Sequence, residues 1–195
     1  MPFQRTVRYL STAVLLSAPL SLLRAQANAM SNANVAQDFK TRAKQYLEWR
    51  EKAAGKAPSS SDSPAKLDAE RQELANKVRV ARAGAKQGEI FTPEIAQYFR
   101  RQITATLASR YGHAIRATLR HAEPVKGELQ INQSYPPKVP LQSTPPTLLL
   151  NLPELPKGLE YRILGRELVL RDTDANIVVD YIPDALPAIT NDKHS

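Results

Sequence analysis

The chain has 195 residues, 42% hydrophobic, 24% charged and 6% aromatic, with 15 prolines, 7 glycines and no cysteine. That length holds one ordinary domain or a small domain with an appended segment, and the balance excludes a collagen-like, polytopic membrane or wholly disordered chain. Without cysteine there is no disulfide, thiolate metal site, cysteine nucleophile or lipoprotein anchor, and 27 Lys+Arg against 19 Asp+Glu give a formal charge of +8.

Residues 1–27 read as a signal peptide. Arg5 and Arg8 form a positive n-region, residues 9–23 a short apolar core containing Pro19, and small-x-small triplets end at Ala27 and Ala29. A membrane-spanning helix needs about 20 apolar residues; this run is shorter and stops at Arg24. Cleavage near Ala27 or Ala29 is therefore expected, with the mature chain periplasmic or secreted, and an uncleaved anchor is the alternative. The leader holds three basic residues and no acidic one, so 24 basic residues face 19 acidic ones after its removal. Residues 28–122 carry 17 against 9, and residues 123–195 carry 7 against 10. Beyond the inner membrane, basic charge meets lipid headgroups and envelope polymers first, so no nucleic-acid partner is expected.

Prolines divide the remainder. Ten of the 15 fall at or after residue 124, whereas 34–122 contains only Pro58, Pro64 and Pro93, so a helical region over 28–122 precedes one that cannot be continuously helical. A first helix is predicted over about 34–54, with Val35, Phe39, Tyr46, Trp49 and Ala53 on one arc, ended by Gly55. A polar linker covers 56–63. Ser63 as cap and Pro64 at the first helical position then open a second helix, whose thin seam is Leu67, Leu74, Val78, Ala81 and Ala85, closed by Gly84 or Gly88. Thr92, Pro93 and Glu94 start a third. Its apolar residues Ile95, Phe99, Ile103, Leu107, Tyr111, Ile115 and Leu119 recur every four. Each such step rotates about 40°, which no single face can hold, so Gly112 is expected to break the helix into about 93–111 and 113–122.

From 123 to 187 the pattern becomes a proline-rich segment plus a β-meander. KGELQIN (126–132) reads as a short strand, YPPKVPLQSTPP as extended or polyproline chain, and TLLLNL (147–152) as one buried helical turn. Tyr161, Ile163, Leu168, Leu170, Ile177, Val179 and Tyr181 alternate by two, broken at 164–166 and 172–176, which predicts three antiparallel strands. The fold class is α+β: N-terminal amphipathic helices packed on a small C-terminal three-stranded meander, the third helix covering it. Residues 188–195 read as a disordered tail.

Candidate chemistry is sparse. Asp172-Thr173-Asp174-Ala175-Asn176 has calcium-loop character, but Ile177 and Pro183 occupy the positions where an EF-hand needs glycine and glutamate; a hairpin tip folded by its own side chains is the expectation. His113 and His121 lack metal-ligand spacing. Arg101, Arg116 and Arg120, with His113 beside them, would share about 100° of arc on a continuous helix, forming a candidate anion patch, or would pair with Asp172, Asp174 and Asp180. No nucleophile elbow, P-loop, dinucleotide fingerprint or HExxH motif occurs, and Glu154, Glu160 and Glu167 show no spaced acid/base pair. No enzyme activity and no cofactor is implied.

VRVARAGAKQGEIFTPEIAQYFRRQI (78–103) and TPPTLLLNLPELPKGLEYRILGRELVLRDTDANIVVDYIPDALP (144–187) resemble a family of exported, functionally uncharacterised Gram-negative proteins of the acidobacterial type. With the intervening YPPKVPLQ they cover about half the mature chain, and the family carries no assigned activity to transfer. Leu155–Ile182 is also similar to the C-terminal hairpin of periplasmic nickel/cobalt-homeostasis proteins, although Arg166 precedes Glu167 where that pattern has a more acidic tip. The expectation is a non-catalytic envelope protein that binds or scaffolds an anionic component, with anionic lipid, lipopolysaccharide or another envelope protein as partner. The alternatives are a metal-stress protein and an enzyme with an unrecognised site.

Overall fold

A computed structural model describes residues 20–55, 63–120, 129–135 and 144–188. Five helices are described: α1 (Leu20–Ala54), α2 (Pro64–Ala81), α3 (Pro93–Ala108), α4 (Gly112–Arg120) and the single turn α5 (Pro146–Leu149). They precede β1 (Leu159–Leu164), β2 (Glu167–Asp172) and β3 (Ile177–Ile182), which form an antiparallel sheet in the order β1-β2-β3. The fold is therefore α+β, helices on a C-terminal meander. The signal-peptide segment before Leu20, most of the linker 56–63, the chain at 121–128 and 136–143, and the expected tail after Ala188 lie outside the described residues.

The main core lies between one sheet face and two helices, not one. Val35, Phe39, Ala43 and Tyr46 of α1 and Ile95, Phe99, Ile103 and Leu107 of α3 meet Leu159, Tyr161, Ile163, Leu168, Leu170, Val179 and Ile182. Phe39 sits at its centre, 4.8 Å from Phe99 edge-on and 5.4 Å from Phe91 stacked. Such ring pairs add to simple area burial.

Along α1 the buried face departs from the expected arc. Ala53 is exposed and Trp49 half-buried, while Arg50 and Ala54 are buried. Arg50 turns inward because the sheet presents buried Asp172 to it, and a buried carboxylate requires a partner. The described helix also extends back to Leu20, well before residue 34, and runs through Ala27 and Ala29.

The α2 seam behaves as a thin one: Leu74, Ala75 and Val78 pack with Ala54, Ala175 and Ile177, while Ala81 is exposed. Pro64 opens α2, and Arg82 caps its C-terminus. Thr92 accepts from Ile95 N at the start of α3. The break before α4 falls at 109–111, and Gly112 opens the new helix instead of occupying the gap. A Cβ at Gly112 would stand 1.7 Å from the Leu107 carbonyl oxygen, so only glycine fits. Tyr111, in the gap, is 46% exposed and leaves the stripe.

Two strand expectations need correction. KGELQIN is not a strand over its described part: Gln130 to Gln133 form a turn, with Asn132 at φ 65°. The chain then lies against the outer edge of β3 through Asn132 N–Val178 O, Val178 N–Gln133 O and Tyr135 N–Asn176 O bonds. In β3 itself a bulge opposite Leu170/Arg171 pairs Leu170 with Asp180 and Arg171 with Val178. The extra residue sends Val179 and Asp180 to the same face, so Ile182, not Tyr181, enters the core.

Candidate anion-binding pocket

Four side chains fix the floor beneath the β2–β3 turn. Arg50 Nη1 donates to Asp172 Oδ1 at 3.1 Å and to Asp174 Oδ2 at 2.9 Å, and the Tyr46 hydroxyl donates to Asp172 Oδ2 at 2.9 Å. Asp172 Oδ1 also accepts Asp174 N and Ala175 N, folding the turn by local hydrogen bonds. Arg50 thus supplies the cation that a metal would bring to such a loop. Burial, then the adjacent Asp172, pushes the Tyr46 hydroxyl well above its usual range. Burial acts to lower the Arg50 guanidinium, but Asp172 and Asp174 outweigh it and raise it above its ordinary value.

Beside this turn lies a cavity of about 580 Å³ between α2, the turn and Ser134. Asp68, Arg71, Gln72, Ala75, Asn76 and Arg79 line it at helical spacings of three and four, so one face of α2 forms a wall. Arg171, Thr173 and Asn176 form the other. Arg79 donates to Asn132 O at 3.0 Å, Asn76 Oδ1 at 2.8 Å and Ser134 Oγ at 2.7 Å. All three acceptors are neutral, and among the described residues no carboxylate pairs with Arg79. Arg171 donates from Nε and Nη2 to Asn176 Oδ1, lies 5.1 Å over the Tyr135 ring, and shares Glu160 with Arg162. Burial would raise the Glu160 carboxyl, but the hydrogen bonds from Arg162 and Arg171 overcome it and hold it below its ordinary value. Among the described residues Arg71 reaches only the exposed Asp68, at 3.7 Å.

Hydrogen-bond polarity defines what this lining can receive. The amide oxygens of Asn76 and Asn176 are turned onto arginines, leaving their NH2 groups as the free ends. With Arg71 and the Ser134 hydroxyl, the cavity is rich in donors; the Thr173 hydroxyl already donates to Asp174 Oδ1. Three guanidiniums line it: Arg71 meets Asp68 and Arg171 shares Glu160 with Arg162, which leaves Arg79 without a carboxylate among the described residues. A ligand carrying several acceptor oxygens and negative charge complements such a site.

A second groove, about 450 Å³, runs along Arg42, Tyr46, Trp49 and Arg82. Its arginines are already matched, Arg42 to Asp38 at 3.0 Å and Arg82 to Glu89 at 2.9 Å. The excess charge therefore belongs to the α2 pocket.

The arginines expected as an anion patch are placed otherwise. Arg101 lies on α3 and bonds Asn32 Oδ1 at 3.2 Å, whereas Arg116 lies on α4 and donates to the Leu107 carbonyl at 2.8 Å, closing the helix break. The continuous helix that would align them does not exist; the Arg120 side chain, His121 and His194 lie outside the described residues. Asp172 and Asp174 pair with Arg50, not with these arginines, and Asp180 accepts backbone N–H groups of Gly88, Ile90, Phe91 and Tyr181. His113 is exposed, and among the described residues no group of three metal-ligating side chains gathers. The α2 arginines escaped sequence reasoning because their spacing is also that of any solvated helix face. Compared with family models, with curated proteins and with solved structures, the chain matches none.

Proposed function

We propose that this chain is an exported, non-catalytic envelope protein that binds an anionic component in the pocket of Arg71, Arg79 and Arg171. Arg79 carries the reading: a half-buried guanidinium fixed by three neutral acceptors, facing a cavity with room for a ligand. A structural arginine in a protein interior ordinarily finds a carboxylate, whereas a neutral cradle preserves its charge for an incoming one. The leader-like residues 1–27 support export, which would place the pocket among lipid headgroups and envelope polymers.

Calorimetric titration of the purified chain with inorganic phosphate tests the proposal. Binding should weaken as salt rises, and Arg71→Gln, at an exposed position that does not hold the fold, should cost roughly tenfold or more in affinity. Arg101→Gln should bind as the unaltered chain does. Equal binding by Arg71→Gln, or no binding, would contradict the proposal.

A further inference from the structure

We infer, on the basis of that anion-binding reading, that the ligand is a phosphate monoester carried on a polyol, either a free sugar phosphate or the same group exposed on a lipid. Charge and shape support this class separately. One carboxylate is satisfied by one guanidinium fork, whereas three arginines on two walls of one cavity suit a group near two negative charges with three terminal oxygens. The remaining lining answers to the rest of the ligand. Gln72, Asn76, Thr173 and Asn176 offer amides and hydroxyls, and the apolar contribution is two alanines. Such a surface hydrogen-bonds sugar hydroxyls and offers a hydrocarbon chain no large apolar side chain to bury against. Gln72 makes no hydrogen bond among the described residues, so its amide is available as donor and acceptor.

Titrations of the full chain with inorganic phosphate, glucose 1-phosphate and glucose, together with sedimentation on phosphatidylcholine vesicles with and without phosphatidylinositol 4-phosphate, test the inference. Glucose 1-phosphate should bind several-fold more tightly than inorganic phosphate, and Gln72→Ala should remove roughly fivefold of that preference while leaving phosphate binding intact. Equal affinity for the two, unchanged in Gln72→Ala, would overturn the polyol assignment yet leave the anion reading standing. Glucose binding as well as glucose 1-phosphate, or failure of every phosphate compound, would overturn both. Retention on the phosphatidylinositol 4-phosphate vesicles that is lost in Arg71→Gln identifies a lipid-borne source, and binding of glucose 1-phosphate without retention identifies a soluble one. Retention that survives Arg71→Gln would overturn the lipid source.

Discussion

Asp180 illustrates how one residue decides local structure. Its Oδ1 accepts Gly88 N and Tyr181 N, and its Oδ2 accepts Ile90 N and Phe91 N, all at 2.8–2.9 Å, tying the loop before α3 to the sheet. Burial pushes its carboxyl above the usual value, against the four N–H groups that pull it down. An asparagine has one oxygen, so either amide orientation strands two donors. Asp180→Asn should therefore destabilise the fold by about 3 kcal/mol in urea titration; unchanged stability would show that the loop does not depend on the carboxylate. Glu160 has the opposite sign. Its folded pKa is depressed, so its stabilisation is present above the ordinary value of 4.5 and lost as pH falls through the lower folded value. The stability gap between the unaltered chain and Glu160→Gln should shrink below about pH 4.5, as followed by thermal unfolding across pH.

At the scale of elements, caps and periods made much of the fold legible. Ser63-Pro64 and Thr92-Pro93-Glu94 mark the starts of α2 and α3, and two-residue alternation locates all three strands. The four-residue repeat required a break near Gly112, and the reason is now physical: the Leu107 carbonyl occupies the place of a side chain. Gly112→Ala should lower stability by at least about 2 kcal/mol, whereas Gly84→Ala, with nothing within 4 Å, should be neutral in the same unfolding assay. Equal effects would mean that the close approach does not set the break. What the sequence concealed depends on tertiary partners. The β3 bulge inverts the facing of Tyr181 and Ile182 only because Val179 and Asp180 both have places to go on one side. Leu129 and Ile131 alternate like a strand, yet the turn around Asn132 and its contacts with Arg82 and Val178 prevail.

For the whole molecule, the helices and the sheet share a main core, and among the α1 side chains that are described the first buried one is Val35. A chain beginning at Asn28 or at Met30 keeps every described buried residue, so its unfolding midpoint should match that of the full chain; a loss of several degrees would assign the preceding helix a structural role. The pocket is likewise a property of the assembled whole, since α2, the β2–β3 turn and Ser134 are brought together by packing of α2 on Ala54, Ala175 and Ile177 and by the Arg79 bonds to Asn132 and Ser134. Sequence reasoning reached the basic character of the helical half but not the residues that focus it, because helical spacing cannot tell a solvated face from one laid against a hairpin. The most direct measurement is NMR of arginine-labelled protein during titration with inorganic phosphate. The Nε–H resonances of Arg71, Arg79 and Arg171 should move together and saturate while those of Arg101 and Arg116 stay fixed. Movement confined to Arg101 and Arg116, or none at all, would contradict the account.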